Sequence, residues 1–545
     1  MEKPAPGSLL LTNGTVHTLD PHRPLAQAVL LLGNRIWAVG SPDDVRAQAP
    51  ADATELDLGG RTVLPAFTDA HIHLVEFAAS LQTVSLVGAR SKEEALARVA
   101  QAAQMRPPGQ WITGQGWDRN SWPDPRFPTR ADLDRVAPDH PVALDSKDMH
   151  SLWANSLALR LADVSAKTVD PPGGGIERDS DRHPTGILKE KPAKDLVRRV
   201  VQKAGPEQLT QALEQSFRLF WQRGVTAVHS MEDATAFRLL QEMRRSGRLG
   251  LRVYQSLTEQ SLEGAIRAGI QTGFGDERLR VGGVKIFMDG ALGSRTAEML
   301  EPYLVEPDNL GIPVTTDEDL WSLLDLASRH GVPAVIHAIG DRANRRALDA
   351  LERVRAAEVQ RGVPRHALRH RIEHAQIVTP EDQPRFAQLD VIASIQPVHA
   401  TSDMEMAEQY WGAERCRYAY PMGSLLRSGA RLALGSDCPV EALNPLAGIH
   451  AAATRRRPDG APGPQGWNPQ ERLTVQQAVE GFTLGGAFAA GEEHLRGSLT
   501  PGKLADLVVL SADIFHIDPT EIVHTEVVAT LFDGEVVFGQ EALGG

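Results

Sequence analysis

The pentapeptide Asp69-Ala70-His71-Ile72-His73 follows an apolar run and carries two imidazoles two positions apart. In an extended segment residues i and i+2 share a face, so both rings can meet one cation. With 18 histidines in 545 residues, chance alone supplies about 0.6 His-x-His pairs, so the pair gains weight from what recurs later in the chain. Lys285 stands in Val-Lys-Ile-Phe-Met-Asp-Gly, His337 in Val-Ile-His-Ala-Ile-Gly-Asp, His374 in Arg-Ile-Glu-His-Ala-Gln and Asp437 in Leu-Gly-Ser-Asp-Cys-Pro. Each lies toward the end of a candidate strand. Nitrogen and oxygen donors of this kind suit a divalent cation, Zn²⁺ first and Mn²⁺, Fe²⁺ or Co²⁺ as alternatives. Such a cation lowers the pKa of bound water, and hydrolysis is the chemistry it offers.

Residues this far apart can act together only if the fold delivers them to one place. Apolar strand candidates fall at 64–70, 225–229, 251–256, 281–287, 334–338, 371–375, 391–396 and 431–435. Amphipathic segments separate them, and eight βα units predict a closed (β/α)₈ barrel, whose strands bring their C-terminal ends to one mouth. Two helices can be placed in advance. Thr316 is an N-cap with Asp317, Glu318 and Asp319 behind it and Gly331 as the stop; Thr379-Pro380 predicts a second helix start. The spacing of His366, His370 and His374 mimics a helical ligand row, but the sequence after Ile372 reads as a strand, where that spacing spans about 13 Å.

Both ends read as β, with turns expected at Asn13-Gly14, Gly33-Asn34 and Asp533-Gly534. The expected domains are a small β-sandwich from 1–65 plus 496–545 and a barrel over 66–495. The interval 80–215, which contains Pro123, Pro125, Pro128, Pro171, Pro172 and Gly173-Gly174-Gly175, reads as an insertion after the first strand. No Gly-Lys-Ser/Thr follows the glycines, so they are a loop and not a phosphate cradle.

Composition narrows the partners. Lys+Arg 57 against Asp+Glu 70 leaves a net charge of −13, which disfavours nucleic acid and anionic membranes and leaves a small-molecule substrate. Two cysteines, Cys416 and Cys438, exclude a disulfide framework. No run reaches membrane-spanning length, and residues 1–11 lack the features of a signal peptide. The expectation is a cytoplasmic protein.

The stretches Lys285 to Ala297 (Lys-Ile-Phe-Met-Asp-Gly-Ala-Leu-Gly-Ser-Arg-Thr-Ala) and Pro184-Thr-Gly-Ile-Leu-Lys-Glu190, with the ligand set above, resemble the amidohydrolase superfamily and its N-substituted formamide deformylase-like branch. Leu499-Thr-Pro-Gly-Lys-Leu-Ala-Asp-Leu507 resembles that family's return to the sandwich, whereas Pro65-Ala66-Phe67 departs from its usual Pro-Gly-Phe. The resemblance implies a metal-dependent barrel that hydrolyses an amide or formamide-like C–N bond, and a homodimer. It also implies that His71 and His73 hold the more buried metal, His337 and His374 the second, and Asp437 sits beside both as general base and acid. Lys285 can join only as a neutral amine that takes up CO₂ to form a carbamate; the alternative is an ion pair with Asp289.

Residues expected to meet substrate are Trp117, Asp118, His150, Asp289, Arg295 and Gln396, with the two tryptophans Trp117 and Trp122 equally suited to the core of the insertion. His399 is placed past the mouth. Two rival readings use the same fold: a mononuclear deaminase of a nitrogen heterocycle, and a non-catalytic barrel that only binds.

Overall fold

Apolar runs long enough for one strand and buried on both faces are the signature of parallel sheet. In the computed structural model, which describes residues 7–201 and 205–543, eight such strands line up in parallel. They are β1 (Phe67–Ile72), β2 (Val225–Ser230), β3 (Arg252–Thr258), β4 (Leu279–Phe287), β5 (Ala334–Ala338), β6 (Arg371–His374), β7 (Ile392–Ile395) and β8 (Leu432–Leu434), paired in chain order. Every residue of β1, β2, β5, β6, β7 and β8 is buried. The barrel is nearly closed. Past the end of β8, the Asp437 N–H donates to the His71 carbonyl of β1 (2.8 Å) and the His73 N–H donates to the Cys438 carbonyl (2.9 Å). Gly435 makes that approach feasible, since a Cβ there would lie 2.6 Å from the His71 nitrogen.

The helix Asp317–Arg329 forms as expected, with Thr316 accepting from the Asp319 N–H and Gly331 at φ +75° behind it. The helix expected from Thr379 begins later, at Gln383. Residues 380–382 form a turn in which Thr379 accepts from the N–H groups of Asp382 and Gln383, and the helix is Gln383–Gln388.

The two ends of the chain build two sheets. Ser8–Thr12, Ala28–Leu32, Arg35–Gly40 and Thr54–Asp57 form one; Thr15–His17, Leu25–Ala26, Thr62–Pro65, Leu507–Leu510, Val527–Phe532 and Glu535–Phe538 form the other. Gly33-Asn34 and Asp533-Gly534 close hairpins, whereas Asn13-Gly14 carries the chain from one sheet to the other. Leu11, Val29, Leu31, Val63, Leu507 and Val509 share one core between these sheets, while Val508 and Leu510 point to the barrel core. Strand alternation thus lets one segment serve both bodies. Arg252 of β3 fixes the junction through a buried bidentate pair with Asp506 (2.6 and 2.9 Å).

Between β1 and β2 lies a six-stranded sheet of its own, from Val84–Ser85 to Pro184–Lys189. The helix Glu190–Arg198, here α1, follows it. The next helix, Pro206–Trp221, packs Leu213, Phe217 and Phe220 into the barrel core, so the inserted sheet ends short of residue 215. Residues 1–6, 202–204 and 544–545, which fall in the expected sandwich and insertion, lie outside the described residues.

Candidate metal centre and active site

The strand ends bring imidazoles and carboxylates together at the barrel mouth. Asp437 Oδ1 lies 3.4 Å from His71 Nε2 and 3.3 Å from His73 Nε2, and Asp437 Oδ2 lies 4.0 Å from His374 Nδ1. Donor atoms of His71, His374 and Asp437 all fall within 4.8 Å of one another, and all three residues are buried. The His337 ring stands 4.6 Å from that of His374, with its Nε2–H donating to the Gly290 carbonyl (3.0 Å). His374 and Asp437 adopt left-handed backbone conformations, φ +74° and +59°, which non-glycine residues hold only where the surroundings impose them.

The electrostatics favour cation ligands. Burial, with Lys285 nearby, brings His71 down to about 4. Burial and neighbouring cationic groups also hold His337 and His374 well below the usual histidine range. These rings therefore present lone pairs. Burial opposes ionisation of Asp437, yet His71, His399, His73 and His374 outweigh it and keep the carboxyl well below its ordinary value. Burial brings Lys285 down to about 8, against Glu373 and Asp437, which hold it up.

A metal fits this set. Asp437 Oδ1 and His399 Nε2 are buried without a hydrogen-bond partner, and buried polar atoms left unpaired are rare unless something else satisfies them. A second group, buried His17, half-buried Asp513 and exposed His516, also brings three donors within the same 4.8 Å limit; there both imidazoles bond Asp513 Oδ2, at 3.0 and 2.9 Å.

Several expectations need correction. Trp117 does not wall the site: its ring is 1% exposed in the core of the insertion, against Trp122, Phe127 and Trp153, and its indole N–H bonds the Leu144 carbonyl (2.9 Å). Asp289 does not meet substrate either. It is fully buried and accepts the N–H groups of Glu298 (2.9 Å), Ile339 (3.1 Å) and Gly340 (2.8 Å), tying two loops together. The charges of Glu373 and Asp437 act on Lys285, and among the described residues no ion pair joins it to Asp289. His399 is not past the mouth: its Nε2 lies 3.5 Å from Asp437 Oδ2, and Asp403 and Asp437 together overcome burial to lift it to about 10. The reach from Gln396 to His399 comes from a helix, Pro397–Ser402, that turns back across the mouth.

Gln396 is bonded to His374 Nδ1 (2.8 Å) and buried, so it orients that ring. Asp118 sits half-buried near Lys147, Asp148 and Asp403, its carboxyl pushed up by burial. Arg295 pairs with Glu306 (2.9 Å) and lines two cavities of about 270 and 340 Å³. His150 reaches in from the insertion, its ring 5.5 Å from that of His337. His366 pairs with Asp390 at the surface (2.6 Å) and His370 with buried Glu358 (2.8 Å), away from the centre.

Sequence reading missed Glu373. This fully buried carboxylate accepts the His71 Nδ1–H (2.5 Å) and pairs with Arg371 (2.7 Å), whose Nη1–H donates to His229 Nδ1 (2.7 Å). Arg371 and Glu373 two apart on a candidate barrel strand were the available signal, since such groups are buried only when paired.

A parallel barrel with this donor set at its mouth defines a metal-dependent hydrolase. The chain belongs to the amidohydrolase family, whose model matches residues 54–538, and it is a hydrolase acting on carbon–nitrogen bonds. It is 35% identical to the protein LONG AFTER FAR-RED 3 of Arabidopsis thaliana over 97% of this chain and 91% of that one. It is 30% identical to the N-substituted formamide deformylase of Arthrobacter pascens over 96% and 97%. A metal-dependent hydrolase from Pyrococcus horikoshii superposes with a TM-score of 0.76 at 29% identity, covering 94% of this chain and 99% of the other. Among the described residues no helix is long and apolar enough to cross a membrane.

Proposed function

We propose that this protein hydrolyses an amide or formamide-like C–N bond of a small molecule with Asp437 as general base and then general acid. The observation that carries this reading is the convergence of three imidazoles on the buried Asp437 carboxylate, His71 and His73 beside Oδ1, which has no hydrogen-bond partner, and His374 beside Oδ2. Likeness to a formamide deformylase over nearly the whole of both chains supports the choice of bond. The donor set suits one or two divalent cations, zinc first, held by His71, His73, His337, His374 and Asp437. Bound there, the metal would polarise the scissile carbonyl and ease deprotonation of water.

The chain's own groups do the rest. Asp437, whose carboxyl is held well below its ordinary value, can take a proton from water and return it to the leaving amine. Glu373 fixes His71 with its Nδ1–H outward, so that Nε2 keeps a lone pair. Lys285, brought to about 8 by burial, has a neutral fraction whose nitrogen can add to CO₂ with loss of a proton, giving a carbamate oxygen donor. A homodimer and a cytoplasmic setting complete the reading; both cysteines are free and buried.

The test is hydrolysis of a panel of N-formyl and N-acyl amines, following amine release. The Asp437→Asn variant at full metal occupancy should lose about a thousandfold in kcat. Unchanged turnover would refute the role given to Asp437.

A further inference from the structure

The insertion contributes more than a cover. Its turn from Ser146 to His150 is wired at every step: Asp148 Oδ1 accepts from the Ser146 hydroxyl and from the His150 N–H (3.0 Å), and Ser146 Oγ accepts from the Ser151 N–H (2.9 Å). The first residue of α1 then grips the ring this turn presents. The His150 Nδ1–H donates to Glu190 Oε2 (2.8 Å), and the Glu190 N–H donates to the His150 carbonyl (2.8 Å).

Glu190 is held equally from the barrel side. Its Oε1 accepts from the Thr296 hydroxyl (2.5 Å), which in turn accepts from the Ala291 N–H (3.0 Å) on the loop after β4. Gly290 lies so close that a Cβ there would stand 2.3 Å from Glu190 Oε1. Further along α1, Lys194 reaches the Met149 carbonyl and Asp145, and Arg198 pairs with Asp145 (2.9 Å). Met149 and Glu190 both occupy the left-handed region, φ +60° and +62°, a conformation that persists in such residues only where the surroundings over-determine it. All these contacts serve one outcome: the His150 ring is fixed beside His337 with a carboxylate on Nδ1 and Nε2 on its other side.

We infer that His150 and Glu190 form a dyad of the active site, in which His150 Nε2 hydrogen-bonds the amide group of the substrate and Glu190 is the residue that positions it. The arrangement has the logic of a histidine oriented by a buried acid in other hydrolases. It makes the insertion a contributor to catalysis, and it rests on the hydrolase reading above.

A double-mutant cycle tests it, using metal-loaded full-length protein with metal content and Tm measured alongside. His150→Ala and Glu190→Gln should each lower kcat about 100-fold, with KM changed by no more than about twofold. The double variant should be no slower than His150→Ala, because Glu190 acts only through His150. Additive losses, or a fall in Tm with kcat preserved, would overturn the inference.

A second readout needs no substrate. In ¹⁵N-histidine NMR, with the His150 signal assigned by its loss in His150→Gln, Nδ1 should carry a proton in the wild type and lose it in Glu190→Gln, whose amide donates instead. A wild-type proton on Nε2 alone would overturn the dyad even if Glu190→Gln does not fold. Wild-type protein that hydrolyses nothing in the panel would instead sink the proposed function, and the NMR result would then decide the dyad separately.

Discussion

Glu373 Oε2 lies 2.5 Å from His71 Nδ1, and neither side chain is more than 1% exposed. The β5–β6 register sets Glu373 level with His337, so one strand-end layer carries both a proposed ligand and the acid that orients another. Burial pushes the Glu373 carboxyl up, but Arg371 and His71 outweigh it and hold the group far below the usual carboxylate range.

Replacing Glu373 with Gln removes the acceptor that fixes His71 while keeping its volume. Divalent-metal affinity should fall about 10- to 100-fold, measured by chelator competition. Unchanged affinity would mean that His71 needs no such partner.

Trp117 tests where the insertion ends and the substrate surface begins. Its ring packs against Trp122, Phe127 and Trp153, so Trp117→Ala should cost about 3–5 kcal/mol of stability. Urea unfolding should show that loss, with KM close to wild type in the fraction that stays folded. A raised KM at unchanged stability would put the ring in the substrate path.

Glu358, buried behind β6, gives a pH signature remote from the metal centre. Burial pushes its carboxyl up, but His370, Ser328 and Arg355 outweigh that and bring it down to about 2 from an ordinary 4.5. A carboxyl depressed on folding stabilises fully above its unfolded pKa and loses that contribution as pH falls through its folded one. Stability should therefore drop by about 2–3 kcal/mol between pH 4.5 and 2 on this account, and Glu358→Gln should lack that part of the slope in acid unfolding curves.

The barrel was legible because most of its doubly buried parallel strands carry short apolar runs, and because ligands at their C-terminal ends converge whatever loops intervene. All eight expected strands coincide with strands of the barrel, from 64–70 to 431–435. What failed depended on side-chain direction. Trp117 belongs to a strand of the inserted sheet, Ile112–Trp117, and nothing in its local sequence says which face meets the barrel. His399 reaches Asp437 only because the short helix after β7 folds back. Glu190 lay inside a recognised motif, yet its partner His150 is 40 residues away across an antiparallel pairing of Ser151–Ala154 with Pro184–Lys189. That pairing, not proximity in sequence, brings them together.

The central claim is that the mouth of the barrel is a metal centre, and elemental analysis of untagged protein purified without chelator tests it most directly. A His516→Ala background keeps the second group, with His17 and Asp513, from contributing. About one or two equivalents of divalent metal per chain are expected, falling to near zero in the folded His71→Ala, His374→Ala double variant. A metal-free protein after supply of zinc and bicarbonate, or a metal count that the double substitution leaves unchanged, would contradict it.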